Sequence, residues 1–384
     1  MGLGGFWPCA QAIVVEGRFY INSKKGMLRH LIKKLLYGVG VLAGVVVIVF
    51  FIFQAFADPA LLVAGQTGDK KTMDNIRKEL YLDRPRWKQF LLYINDVSPI
   101  SIDTKQEITD KKLRGFFFGG DSQPGSYRIA LKVPYLRRSY QTKKDVVDVL
   151  MEALPGTLLL AFAAMFFATI IGIFLGVVAA LKQNTWVDVT SVFASVVGIS
   201  APSFFMGIVI AYVFGIVLHS YTGLPLTGSW SNIDEVTGER YLTLQNLVLP
   251  AITLGIRPLA IITQLTRSSM LEVLNQDFIR TAYAKGLSKK QVVFRHALRN
   301  ALNPVVTAVT GWFAELLAGA FFVEYIFGWQ GLGKVTVDAL ENLDYPVVMG
   351  SALLAATVFV LVNIAADMLY RVIDPRINPH ARNR

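Results

Sequence analysis

Long apolar runs constrain the fold of this chain more than any other feature of its sequence. A helix needs about 20 predominantly apolar residues to cross a bilayer. Six runs of that kind lie at residues 33–56, 155–181, 190–218, 247–271, 304–326 and 347–371. They are too long and too evenly apolar for barrel strands, and lipid leaves the backbone no other way to satisfy its hydrogen bonds. We therefore predict an all-α membrane protein with six transmembrane helices.

Charge and composition exclude several classes of protein. A net charge of +11 would fit a nucleic-acid partner, but basic residues that flank membrane helices are the simpler interpretation. The single cysteine, Cys9, rules out a disulfide within the chain, and the four histidines are not spaced as metal ligands. We expect membrane lipid as the surroundings, with no metal site and no nucleic-acid partner.

The distribution of positive charge predicts an orientation. Basic residues cluster before the first run, between the fourth and fifth runs, and after the sixth run. Such clusters favour the cytoplasmic side, so both termini are expected there. The predicted organisation is a tail or over-extended start at 1–26, helix one within 27–56, an external segment at 57–150 with an insertion near 93–140, a core at 151–371 and a cytoplasmic tail at 372–384.

A stretch after the fifth run resembles a nucleotide-binding P-loop. The pattern G-x-x-x-x-G-K-[ST] fits Gly328 to Lys334, but Val335 lacks the hydroxyl that would hold magnesium. The predicted orientation also places this stretch away from cytoplasmic ATP. We interpret it as a glycine turn in which Gly331 and Gly333 allow unusual backbone angles or close packing.

The loop between the fourth and fifth runs, residues 272–303, is predicted to hold two short amphipathic helices. The first begins near Asp277, which is a candidate cap, and ends at Gly286 in the manner of a C-terminal glycine. Ser288 is placed to cap the second. From the residues alone, this loop either lies on lipid headgroups or docks into the groove of a soluble partner.

Three residues inside the runs are candidates for a function in transport. Arg257 and Glu315 are charged residues within apolar spans, where such residues are rare and usually functional. Both lie about 10 residues from the same side, or roughly 15 Å deep, so they form a buried ion pair or line a pathway. Pro202 predicts a kink or hinge, although the nearby glycines also fit plain helix packing.

Several motifs together resemble the permease subunits of ABC importers of the dipeptide, oligopeptide and nickel class. The resemblance covers residues 27–378. Its motifs are Leu82–Phe90, Leu154–Thr157, Ser200–Phe205, Asp277–Ser288, Arg295–Pro304, Phe322–Phe327, Gly331–Gly333, Asp344–Val348 and Asp374–Arg376. Where the general importer loop begins Glu-Ala-Ala, this chain has Arg280-Thr-Ala282, a form that the peptide class uses. Residues 93–140 do not match the class pattern.

The resemblance implies a chain that hydrolyses nothing itself. It implies a multi-pass permease of the bacterial inner membrane that forms half of a peptide pathway. The implied partners are a second, paralogous permease, two ATPase subunits that hold ATP and magnesium, and an external substrate-binding protein. The loop would be the coupling site, through Asp277, Arg280, Thr281, Ala282, Lys285, Gly286 and Leu287. Arg280 and Lys285 would give electrostatic docking, and Ala282 would permit close approach.

Other classes fit the sequence less well. A secondary transporter that acts alone would usually show inverted repeats with paired broken helices, and none is evident. An intramembrane enzyme would need a nucleophile and base, or metal-ligand spacing, within the spans. A membrane scaffold that only recruits a partner would not need six spans. The sequence does not separate peptides from nickel chelates or oligosaccharides as substrate.

Overall fold

The computed structural model describes residues 31–53, 77–78, 81–119, 126–233 and 240–373. These residues are mostly helical. The helices are α1 (Leu31–Phe53), α2 (Arg86–Val97), α3 (Lys105–Asp110), α4 (Val146–Leu181), α5 (Trp186–Ser200), α6 (Ser203–Tyr212), α7 (His219–Thr222), α8 (Gln245–Leu274), α9 (Asp277–Ala284), α10 (Lys289–Gln291), α11 (Leu298–Ile326), α12 (Leu332–Glu341) and α13 (Tyr345–Ile373). Two π-helical turns, Val213–Val217 and Val292–Ala297, extend α6 and precede α11.

Four described helices are long and apolar enough to cross a membrane, namely α1, α4, α8 and α13. The number rises to six if two bent pairs each form one span. One pair is α5 with α6, bent by 111°. The other runs from Lys289 to Ile326 and bends by 55° near its far end. The structure thus supports a helical membrane protein with four to six spans.

Helix α4 and helix α8 form the centre of the bundle. Leu160, Ala164, Leu249 and Ile262 are buried between them. Gly172 and Gly176 of α4 lie directly against α8, where an added methyl group would collide with Ile262 and Thr266. Small residues of this kind let membrane helices pack with their backbones close together.

The prediction of an all-α chain is wrong between residues 100 and 132. Three strands, β1 (Ile100–Thr104), β2 (Gly115–Phe118) and β3 (Tyr127–Lys132), form an antiparallel sheet in the order β1-β3-β2. The apolar residues of β1 and β3 alternate with other residues, a period that favours strands, whereas β2 reads Gly-Phe-Phe-Phe. A second, two-stranded sheet pairs β4 (Ser231–Ile233) with β5 (Arg240–Leu242).

A buried polar network joins α2 to the segment around this sheet. The Tyr81 hydroxyl donates to Asp96 Oδ2 at 3.1 Å, and Lys111 Nζ donates to Asp96 Oδ1 at 2.6 Å. Burial, followed by the effect of the Asp96 carboxylate, raises the pKa of Tyr81 to about 12. The phenol therefore remains protonated at any physiological pH and can keep donating to Asp96.

Candidate functional site

The loop between α8 and α11 forms a compact unit with one buried and one exposed side. Ile279 and Ala282 of α9 pack with Met270 of α8 and Val292 of the π turn. Ala282 is 6% exposed, so its side chain faces its own chain rather than the exposed side of the loop. Its small side chain instead lets α9 pack closely against its own chain, because the apolar stripe of α9 turns inward.

Backbone hydrogen bonds fix the end of α9. The amide of Gly286 donates to the carbonyl of Tyr283 at 2.9 Å, and the amide of Leu287 donates to the carbonyl of Ala282 at 3.3 Å. This pair of bonds is a Schellman motif. Gly286 has φ +81°, a left-handed conformation that favours glycine. The prediction that Gly286 ends the helix is confirmed.

The two predicted N-terminal caps have different outcomes. Ser288 caps α10 in a capping box with Gln291, as predicted. Asp277 does not cap α9, because the N-cap position belongs to Gln276 and Asp277 is the first helical residue. The Asp277 carboxylate instead lies 3.4 Å from Arg280 Nη1, and its negative charge suits the helix N-terminus.

The exposed side of the loop combines cations with aromatic rings. The Arg280 side chain is 76% exposed, and Phe278 and Tyr283 project from the same short helix. Thr281 and Lys285 are also exposed, whereas Leu287 is half-buried against the apolar base of the loop. Because the base is packed and hydrogen bonds fix the C-terminal end of α9, this surface is held as a rigid protrusion.

A second cluster of functional candidates joins α8 to α11. Arg257 Nη1 lies 3.8 Å from Glu315 Oε1, and the Arg257 guanidinium stands 5.3 Å from the ring centre of Trp312. The two charged side chains are 53% and 54% exposed, so this pair is not buried within the chain. Charged groups exposed on an apolar span must meet water or another protein, since exposure to lipid is costly.

A small cleft of about 60 Å³ adjoins this pair beside the break between α5 and α6. Pro202 is the residue before α6, where the chain bends by 111°. A kink at this position is therefore present. Pro258 of α8 also lines the cleft, next to Arg257.

The backbone of the P-loop-like stretch, Gly328 to Lys334, surrounds the side-chain carboxyl group of Glu324. Glu324 Oε2 accepts hydrogen bonds from the backbone amides of Gly333 at 2.6 Å and Lys334 at 3.3 Å, at the start of α12. Glu324 is fully buried. Helix N-termini favour acceptor groups such as phosphate or carboxylate oxygens, and here the acceptor is an internal side chain. Gly331 and Gly333 are needed because an added methyl group would collide with Glu324 at either position.

Sequence reasoning missed two members of these sites. Trp312 lies three residues before Glu315 on α11, so the spacing of neighbours on a helix was the available signal. The pairing of Glu324 with the start of α12 had no comparable signal, because it depends on the turn formed by residues 327–331.

The long apolar helices define an integral membrane protein. Residues 172–379 match the family described as "Binding-protein-dependent transport system inner membrane component". Residues 27–113 match the family described as the N-terminal part of such membrane components. The chain belongs to this transport family.

Curated relatives align along most of the chain. It is 33% identical over 365 residues to the dipeptide transport system permease protein DppB of Alkalihalophilus pseudofirmus. It is 35% identical over 369 residues to DppB of Escherichia coli K12, and 35% over 354 residues to the glutathione transport system permease protein GsiC of Escherichia coli O6:H1. Each alignment covers 91% of this chain and 99% of the relative.

Among solved structures, a chain of the MetNI methionine ABC transporter aligns with a TM-score of 0.46 and 18% identity. The alignment covers 59% of this chain and 97% of that chain.

Proposed function

We propose that this chain is the permease subunit of an ATP-driven ABC importer for peptides in the bacterial inner membrane. The observation that supports it most is the rigid, exposed helix α9 on a buried base, within a chain of the binding-protein-dependent transport family. The names of the relatives, dipeptide and glutathione permeases, favour short peptides as substrate. The chain forms half of the pathway, and a second permease forms the other half.

The proposed topology has six spans with both termini in the cytoplasm. In this arrangement each bent helix pair counts as one span. The loop 272–303 then faces the cytoplasm, in agreement with its excess of basic residues. The segment 57–150 lies outside, with the external substrate-binding protein.

The rigidity of α9 couples closure of the ATPase subunits to movement of the membrane helices. ATP and magnesium bind to the two partner ATPase subunits, and closure of that pair moves α9 as a rigid body. The inward contacts of Ile279 and Ala282 pass this motion to α8 and α4. Arg280, Thr281 and Lys285 form the surface that meets the ATPase, with Phe278 and Tyr283 as apolar anchors. Pro202 serves as the hinge at which α5 and α6 change their angle.

Reversing the charge at Arg280 tests the coupling site. We expect Arg280→Glu to lower recovery of the ATPase subunit in a detergent pull-down about tenfold, equivalent to ~1.4 kcal/mol, because a repulsive charge replaces a docking cation. Lys105→Glu makes the same charge change on exposed α3 and should leave recovery unchanged. If the wild-type chain instead purifies alone and moves substrate into proteoliposomes without ATP, the proposal fails in favour of an ion- or proton-coupled secondary transporter.

Arg257 and Glu315 are proposed to line the pathway between the two permeases, where they meet the charged termini of a peptide. Glu315→Gln should reduce ATP-dependent peptide uptake about tenfold while the complex still assembles, because a pathway charge is lost without a change of shape. The exchange of both charges, Arg257→Glu with Glu315→Arg, separates this role from a purely structural pair. Restored uptake in the exchanged protein would show that only the ion pair matters, and loss of the partner permease in Glu315→Gln would indicate an assembly contact.

A further inference from the structure

The three-stranded sheet has its polar side inward and its apolar side outward. We call the outward side the apolar sheet face. Its residues are 51% to 72% exposed and comprise Ile100, Ile102, Phe116, Phe118, Tyr127, Ile129 and Leu131. The strand register places them side by side, with Ile129 of the central strand between Ile102 and Phe118. A contiguous exposed apolar surface of this kind marks a contact with protein or membrane.

The inward side of the same sheet is covered by the chain itself. Asp103 and Lys132 form an ion pair of 3.0 Å with both side chains fully buried. Asn95 of α2 donates to Asp103 Oδ1 at 3.1 Å and also bonds the backbone of Ile102. The packing of the chain therefore buries and pairs Asp103 and Lys132 on this side, and it leaves the apolar sheet face without a cover among the described residues.

The helix beneath the sheet lies beside the ends of two spans. Phe50 of α1, Tyr93 of α2 and Leu353 of α13 form one buried cluster. Phe50 is three residues before the end of α1, and Leu353 is eight residues after the start of α13. At 1.5 Å per residue, α2 lies roughly 5–12 Å inside the helix ends. Amphipathic helices at a membrane interface lie at a similar depth of about 5–10 Å, so this position suits an interfacial helix.

An exposed apolar surface runs from α1 through α2 toward the sheet. The ring of Phe51, 62% exposed on α1, lies 6.4 Å from the ring of Phe90 on α2. Next to Phe90, the exposed side chains of Trp87, Leu91 and Ile94 form a stripe along α2. The neighbouring residue of α2, Asn95, bonds strand β1 at Ile102. The lipid-facing surface of α1 thus continues onto α2, whose last turn lies next to strand β1 of the sheet.

We propose that the apolar sheet face is seated in the lipid leaflet at this end of the bundle. Its aromatic residues suit the interface, where amphipathic rings concentrate. The exposed cations Lys88 of α2, Lys105 of α3 and Lys112 shortly before β2 lie on the elements next to these strands in the chain and complement anionic headgroups. This contact with lipid anchors the segment between the first two spans to the membrane. It also fixes the angle of that segment relative to α1 and α13.

Fluorescence at single positions tests this seat. The full-length chain carries Cys9→Ser together with one new cysteine, which is labelled with an NBD probe and reconstituted into vesicles of phosphatidylglycerol and phosphatidylethanolamine. At Ile129→Cys we expect a blue-shifted emission, several-fold stronger quenching by doxyl-labelled lipid and several-fold weaker quenching by aqueous iodide than at Gln106→Cys on exposed α3. Phe51→Cys on α1 provides the membrane-embedded reference.

Phe118→Cys on strand β2 repeats the measurement at a second point of the apolar sheet face, so that a local disturbance at one site is recognised. Agreement of both positions with Phe51→Cys supports the seat. Iodide access equal to that of Gln106→Cys at both positions overturns it. If iodide reaches both positions in vesicles and loses this access only when a partner permease or an external binding protein is added, the apolar sheet face is a protein interface. The lipid proposal is then wrong.

Discussion

Gly333→Ala is expected to destabilise the chain by about 3–5 kcal/mol. The added methyl group would collide with the backbone Cα of Phe321 and would lie 2.9 Å from Glu324 Oε2. A backbone atom cannot move aside as a flexible side chain can, so the start of α12 must shift. That shift also breaks the hydrogen bond from the Gly333 amide to the buried Glu324 side chain, and a buried polar group left without its partner costs ~1–3 kcal/mol.

Gly311→Ala is the matched control for this experiment. Gly311 lies on α11, where an added methyl group meets nothing within 4 Å, so its replacement should be neutral or slightly stabilising. The free energies of unfolding of both variants can be compared by titration with SDS in mixed micelles. Equal stability of the two would mean that the contact of α12 with Phe321 and Glu324 is loose, contrary to the structure.

Asp103→Asn is expected to destabilise the sheet by about 3–5 kcal/mol, because it leaves the Lys132 ammonium buried without its counter-ion. Both side chains have 0% exposure, and their charged atoms lie 3.0 Å apart. The loss should appear as faster amide exchange in β1 and β3 and as easier proteolysis of the segment 100–132.

The control for the sheet is Asp110→Asn, which changes an exposed carboxylate at the end of α3. Amide exchange in β1 and β3 should be unaffected by it. The double variant Asp103→Leu with Lys132→Met should recover much of the stability, since apolar residues of similar size can replace a buried pair. Exchange rates in Asp103→Asn equal to those in Asp110→Asn would show that the pair contributes little.

Local patterns predicted the helices and the ends of the loop helices well. Gly286 and Ser288 act as predicted because helix termination depends on hydrogen bonds within a few residues. Arg257 and Glu315 are brought together, as equal depth on adjacent spans allows. The inward direction of Ala282 was not predicted, because an amphipathic stripe does not state which neighbour it will contact.

The strands at 100–132 were missed although the alternation of β1 and β3 is visible in the sequence. Six long apolar runs dominate the pattern of the chain, and two short segments with a period of two, together with the short run Gly115–Phe118, are weak signals beside them. The sequence could not have predicted that the sheet turns its polar side inward and its apolar side outward. This arrangement arises from the ion pair of Asp103 with Lys132 and from the packing of α2 over that pair.

By itself, the sequence determined that this chain enters a membrane and where its loop helices end. Those properties depend on the hydrophobicity and backbone preferences of residues close together along the chain. Only the tertiary structure decided that the P-loop-like stretch surrounds Glu324, that α5 and α6 bend by 111°, and that the sheet turns its apolar side outward. These features depend on contacts between residues distant in sequence, whose pairing is fixed only when the helices pack.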